Sequence, residues 1–209
     1  VQPRPALRLV PTEGPEAAAV PAGDTEILEA FARGDRRAAA LLYDRLAGVV
    51  DATLYRVIGR READHDDLVQ SAFEQIILTL SRQSFAGGCS LHGWAASIAC
   101  HVGLNAIRSR ARARRVFDGS ADHDAESARR TAPDDVEAQV AARRELDRLR
   151  AHLAAMDPDR AKTVLLHGVF GLSLAETARL TGVSLVAAQS RLVRGRRDLK
   201  ERMQKEAEP

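Results

Sequence analysis

The feature that most constrains this chain is the spacing of its apolar residues. They recur at three- and four-residue steps through two long stretches, and no segment alternates as a strand does. In RRAAALLYDRLAGVVDATLYRVIG, Leu42, Leu46, Val50, Leu54 and Val57 or Ile58 fall on one stripe, and Gly59 ends it. In DHDDLVQSAFEQIILTLSRQ the stripe is Val69, Phe73, Ile77 and Leu80. A short amphipathic helix, TEILEAFARGD, precedes both and stops at Gly34. After the glycine-marked loop SFAGGCSLHG, a fourth helix runs from Leu91 or Trp94 to Arg115. The expected fold class is all-α.

The periodicity fails in two places. Residues 1–22 hold five of the eight prolines and no helical period, which predicts a disordered tail. Residues 116–142 include FDGSADHDAESARRTAPDDVE, with seven acidic side chains and few apolar ones. They read as a flexible acidic linker. Helical patterning resumes in RRELDRLRAHLAAM, with Leu146, Leu149 and Leu153, and Asp157-Pro158 starts another helix. The expected organisation is two small helical domains, 23–115 and 143–206, joined by that linker.

Composition narrows the function classes. Aromatics make up 4% against 45% hydrophobic residues, so the cores are aliphatic. No apolar run approaches the roughly 18 residues of a membrane helix. The first residues lack the apolar stretch of a secretory signal, and two cysteines cannot form a disulfide scaffold. A reduced, cytoplasmic protein is expected. Cys89, His92, Cys100 and His101 match no common zinc spacing. No phosphate-binding glycine loop or nucleophile elbow is present. Neither metal, cofactor, catalytic residue nor small-molecule substrate is expected. His65, between Asp64 and Asp66, reads as part of a solvated charge cluster. The net charge of +2 conceals 31 basic and 29 acidic side chains, so their placement carries the information.

Two placements point to DNA. Ser173-Leu174-Ala175-Glu176 is a capping box at a helix start. Ala178 allows a close helix crossing, Gly182 suits the left-handed turn, and Ser184 caps the next helix. That pattern is a helix-turn-helix. On its last helix Leu185, Ala188, Leu192, Gly195, Leu199 and Met203 form the expected buried stripe. Ala187, Ser190, Arg194 and Arg197 lie opposite, short side chains first and basic ones later. A helix entering the major groove tip-first needs that order.

The second placement is on the fourth helix. Trp94, His101, Asn105, Arg108, Arg112 and Arg115 fall on one arc, while Ile98, Cys100, Val102, Leu104, Ala106 and Ile107 take most of the rest. RSRARARR holds five arginines in eight residues. Such a strip beside a glycine-containing loop suits single-stranded or opened DNA.

Together the two modules resemble a family. Asp66-Asp67-Leu68-Val69-Gln70 with Ala72-Phe73 is similar to the core-binding helix of sigma-seventy-type transcription initiation factors. Phe85 to Leu91, Gly93-Trp94 and Ile98-Ala99 resemble the loop and helix that follow it. Leu172-Ser173, Ala175-Glu176, Gly182-Val183-Ser184 and Ser190-Arg191-Leu192 resemble the promoter-reading domain. Two modules around a variable linker is the layout of the extracytoplasmic-function group. The resemblance implies that Asp66, Asp67, Gln70 and Glu74 face the β′ clamp helices of core RNA polymerase, whose β flap is a further partner. It implies that Phe85, Trp94 and His101, with the arginine strip, bind the minus-ten element. It assigns Ala187, Gln189, Ser190, Arg191, Arg194 and Arg197 to the minus-thirty-five element, and an anti-sigma factor as a partner. The family often has Asn where His101 stands, and Gly-Thr-Val-Lys where this chain has Val186-Ala187-Ala188-Gln189. Base preference at both elements is therefore open. The alternative is an autonomous helix-turn-helix regulator that binds duplex DNA without polymerase.

Overall fold

A computed structural model describes residues 23–82, 85, 89–117 and 133–207. The expected tail and most of the expected linker lie outside the described residues. The described residues form helices in this order: α1 Asp24–Ala32, α2 Arg36–Ile58, α3 His65–Ser81, α4 Leu91–Phe117, α5 Pro133–Ala155, α6 Pro158–Gly168, α7 Leu174–Thr181 and α8 Leu185–Ala207. No strand occurs among them.

Several of the starts have a local cause. Asp35 accepts the Arg37 N–H at 2.9 Å and caps α2. Asp157 accepts the Asp159 and Arg160 N–H groups at 3.1 and 3.0 Å, and Pro158 follows it at the head of α6. The predicted α2 stripe is buried from Leu42 to Ile58. On α3 the buried centre is Ala72 and Ile76, with Phe73 and Leu80 beside them. Helix α4 crosses α2 at close range, because a Cβ on Gly103 would lie 2.9 Å from Val57 Cγ1. Helix α8 crosses α6 in the same way: a Cβ on Gly195 would lie 2.7 Å from Val164 Cγ2 and 3.3 Å from the Arg160 carbonyl.

Four features differ from the sequence reading. Helix α5 begins at Pro133 rather than near Arg143, so the last part of the acidic segment is helical. Pro-Asp-Asp is a helix start: proline loses nothing at the first position, and acids favour the N-terminal end of the dipole. Leu146 is 46% exposed and Leu185 52% exposed, so each lies off its expected buried stripe. His65 is 3% exposed rather than solvated. Its Nε2 lies 2.8 Å from Asp51 Oδ1, and Arg61 donates to the other Asp51 oxygen at 2.6 Å. Finally, the two modules share one core. Leu153, Met156, Ala161, Leu165 and Leu166, from α5, α6 and the turn between them, join the cluster built by α2, α3 and α4. Helical units of this size bury too little of their own apolar surface, and stacking them buries more. Arg150 of α5 donates to the Val57 carbonyl at 3.2 Å, and the Arg56 guanidinium lies 6.0 Å from the Phe170 ring.

Candidate nucleic-acid interface

The helix-turn-helix forms as its residues require. The Ser173 hydroxyl accepts the Glu176 N–H at 3.2 Å, and Glu176 accepts the Ser173 N–H at 2.9 Å. The Ser173 hydroxyl, which donates to Glu176 Oε2 at 2.7 Å, and then the Ser173 N–H hold the Glu176 carboxyl below its ordinary range. Gly182 takes φ 68° at the turn, where a side chain is strained. Ser184 accepts the Ala187 N–H at 3.2 Å and caps α8. Ala188 and Leu192 are buried, which turns the opposite face of α8 outward.

On that outward face Gln189, Arg194 and Arg197 are exposed, and Ala187 and Ser190 half-buried. Arg191 is half-buried, and its Nη2 lies 2.7 Å from Asp159 Oδ2 on α6. Arg197 Nε lies 3.7 Å from Glu201. Sequence reasoning left two members of this face unassigned: Val186, 76% exposed, and Val193, 61% exposed. Their spacing of seven from each other could have marked them as one outward line.

The α4 strip is built differently. His101, Asn105 and Arg112 are exposed and Arg108 is half-buried. The Asn105 amide nitrogen is 3.1 Å from His101 Nε2, a geometry that lets the amide donate to a neutral ring. Partial burial lowers the His101 pKa from its ordinary 6.5. Lys162 and Arg108 lower it further, against a smaller raising effect of Asp159. Lys162 itself is drawn down by burial. One Arg108 Nη2 is buried without a hydrogen-bond partner among the described residues. Trp94, expected on the DNA-facing strip, is only 8% exposed. Its ring lies 4.9 Å from that of Phe85, tilted by 51°, so it backs Phe85 rather than presenting an open face. The Arg115 side chain lies outside the described residues. Arg110, between the strip positions, turns inward to Asp64 at 2.6 and 2.9 Å. Cys100 lies on the apolar side, and burial pushes its thiol up to about 12.

The third face belongs to α3. Asp66, Asp67 and Gln70 are exposed, and Gln70 donates to Glu74 at 3.1 Å. Leu78, 49% exposed, continues this face one turn beyond Glu74 and was not singled out by sequence. The structure thus carries three distinct faces rather than one converging pocket: acidic on α3, basic and partly enclosed on α4, open on α8.

A helical chain that joins such a strip to a helix-turn-helix defines a two-part DNA-reading protein. Its relatives define it further. The family described as Sigma-70 region 2 matches residues 42–113, and Sigma-70, region 4, matches residues 146–199. The chain is 33% identical over 174 residues to the RNA polymerase sigma factor CnrH of Cupriavidus metallidurans, covering 80% of this chain and 87% of that one. It is 33% identical over 174 residues to the RNA polymerase sigma factor CarQ of Myxococcus xanthus, covering 83% of this chain and 94% of CarQ. The solved structure of CnrH in complex with the cytosolic domain of CnrY matches with a TM-score of 0.51 and 26% identity, over 89% of this chain and 99% of that chain. The chain belongs to the extracytoplasmic-function group of sigma-70 RNA polymerase sigma factors.

Proposed function

We propose that this protein is an alternative-type sigma factor that directs core RNA polymerase to a subset of promoters. The observation that carries the reading is the order of its faces in one chain. An acidic α3 face and a basic α4 strip lie within the region 2 match, and a helix-turn-helix lies within the region 4 match. An autonomous regulator needs only the last of these.

On this reading residues 23–115 hold polymerase and the minus-ten element, and residues 143–206 hold the minus-thirty-five element. Asp66, Asp67, Gln70 and Glu74 face the clamp helices of β′, where carboxylates meet a basic partner. Region 4 meets the β flap. Phe85, His101, Asn105, Arg108, Arg112 and Arg115 meet opened DNA, with Trp94 behind Phe85. Ala187, Gln189, Ser190, Arg194 and Arg197 meet the upstream duplex, and Arg191 is steadied by Asp159. The chain carries no catalysis of its own; bond formation belongs to the polymerase. CnrH was solved with the cytosolic domain of CnrY, and a protein inhibitor of that kind fits this chain. Among the described residues no helix is long and apolar enough to cross a membrane, and the site of action is the cytoplasm, where polymerase and promoter are.

The test is run-off transcription with purified core polymerase on a pool of genomic fragments. Discrete starts that require this protein are the expected result. Sequence-specific duplex binding by the protein alone, with no dependent transcripts, would favour the autonomous regulator.

A further inference from the structure

We propose that Val186 reads the C5 methyl group of a thymine in the minus-thirty-five element and sets base preference there. The inference rests on the promoter-reading role of α8 given above. Val186 is the second residue of α8 and the most exposed large apolar side chain among the described residues, at 76%. At 100° per residue it points away from Ala188 and Gly195. Both are fixed against the body of the domain: Ala188 is fully buried, and Gly195 has Val164 at close range. The helix cannot roll to bury Val186 without losing those contacts.

A single exposed valine is ordinary on a protein surface. Its place on this face is what gives it meaning. The outward line of α8 runs from Val186 through Gln189, Ser190 and Val193 to Arg197, with Arg194 beside it. The near end is apolar and hydrogen-bonding, and the far end is cationic. A protein partner for the valine gives no account of the arginines that continue its line; a nucleic-acid duplex does, because the phosphates flank the bases. Within the major groove the apolar group on offer is the thymine methyl, set beside donors and acceptors. Valine at a helical position holds one dominant rotamer, so its two methyls are presented with little entropy left to lose. Gln189, three residues on, supplies the amide that suits adenine N6 and N7. Arg191, the first arginine of the helix, is turned onto Asp159 at 2.7 Å. The tip is therefore left to short uncharged side chains. The geometry assigns a T·A pair to the first turn of the helix.

The experiment uses the full chain assembled with core polymerase on a promoter it starts from. Each thymine of the minus-thirty-five element is replaced in turn by uracil, which removes the methyl and nothing else. At one position initiation is expected to fall about fourfold, the equivalent of about 0.8 kcal/mol for one buried methyl-sized group. Val186→Ala is expected to lower initiation from the thymine template by a similar factor, to keep polymerase binding, and to respond equally to thymine and uracil. An active factor that is blind to every methyl overturns the inference and leaves the function standing. So does an upstream element without a T·A pair, or a Val186→Ala factor with undiminished methyl sensitivity. If Val186→Ala abolishes polymerase binding, the side chain serves a protein contact and the inference is wrong. If the intact chain supports no transcript, promoter reading itself fails, and the inference with it.

Discussion

Helices α4 and α8 both carry arginines on one side, yet they meet their surroundings in opposite ways. The α8 face is a convex, open surface, with Val186, Gln189, Arg194 and Arg197 all exposed. The α4 strip sits beside α6. Lys162 and Asp159 act on His101, and one Arg108 guanidinium nitrogen is buried without a hydrogen-bond partner among the described residues. On the proposed function, the difference follows from what each would hold. A duplex offers its groove to a protruding helix, so the reading face is complete once the helix is folded. An unstacked base needs a recess, so its site depends on the elements around it. Helix α6, within the region 4 match, lies beside α4, and its Leu165 and Leu166 join the core of α2–α4.

The largest effects should come from the two close crossings, one in each region. Gly195→Leu forces a side chain into the 2.7 Å approach to Val164, and Gly103→Leu does the same against Val57. Overpacking of this kind costs about 1–3 kcal/mol, and more where backbone must move. Gly103→Leu is expected to abolish polymerase binding, because α2 and α4 support the α3 face. Gly195→Leu is expected to abolish dependence on the upstream element while polymerase still binds. Thermal unfolding followed by circular dichroism sharpens the comparison: one common transition lowered by either change marks a shared core. Two separate transitions, each moved by one change alone, would break that view.

Charge reversal comes next. Arg194→Glu with Arg197→Glu should reduce the slope of log affinity against log salt by about 2, if each arginine meets one phosphate. Binding of the assembled complex to promoter DNA over a salt series measures it. An unchanged slope would remove both residues from the phosphate contact. His101→Ala should act on the other side of the comparison, lowering open-complex formation with little change in the salt slope. Permanganate reactivity of unpaired thymines reports that step.

Much of this was legible in the sequence, and the failures have physical causes. The α2 stripe, the capping box of α7, the turn at Gly182 and the outward Arg194 and Arg197 follow from local rules, because period and capping act within a few residues. The fate of His65 did not: its partner Asp51 is on another helix, and no spacing encodes that bond. Trp94 fits the arc of the strip, but its burial against Phe85 depends on where the loop folds. Leu185 has the spacing of a core residue yet sits at the first turn of α8, 52% exposed. Val186 stands beside Ala187 near the tip of α8, but an apolar side chain gives no local sign that it lies 76% exposed. The shared core was hidden for a simpler reason. An acidic, apolar-poor segment reads as separation between modules, and says nothing about whether the modules then pack together.

Acidification probes the enclosed strip. His101, exposed on one side and partly covered on the other, has its pKa below the ordinary 6.5, so it binds its proton less readily than a fully uncovered one. Well above 6.5 both rings are neutral and pH has no effect. As pH falls through about 6.5, the uncovered state takes up more protons, and contact between α4 and α6 loses stability. Lys162, Arg108, Asp159 and the Cys100 thiol face this region as well. Of these groups with His101, only the imidazole ordinarily titrates near neutrality. Protection of the α6 amides, corrected for their intrinsic exchange rates, should therefore fall as pH drops through about 6.5. His101→Asn should flatten that dependence, whereas the exchange of α8 tip amides should be alike in both proteins. A pH response that survives His101→Asn would place the sensor elsewhere.

The smallest effects come from helix caps, and they test whether the two regions answer to one stability. Asp35 caps α2 and Ser173 caps α7, each through one side-chain oxygen. Alanine at either position should cost about 1 kcal/mol. Helix α2 has 23 residues and a fully buried stripe, so it retains its shape without the cap. Helix α7 has 8 residues, and its start fixes the angle at which α8 is presented. Isolated helices that short do not hold themselves together, so its first turn depends on the Ser173–Glu176 exchange. Ser173→Ala is thus expected to weaken upstream-element recognition a few-fold, while Asp35→Ala lowers the melting temperature by about 2–4 °C and leaves promoter choice intact. Equal losses of recognition in both variants would mean that global stability, and not the local geometry of the helix-turn-helix, sets how well α8 reads DNA.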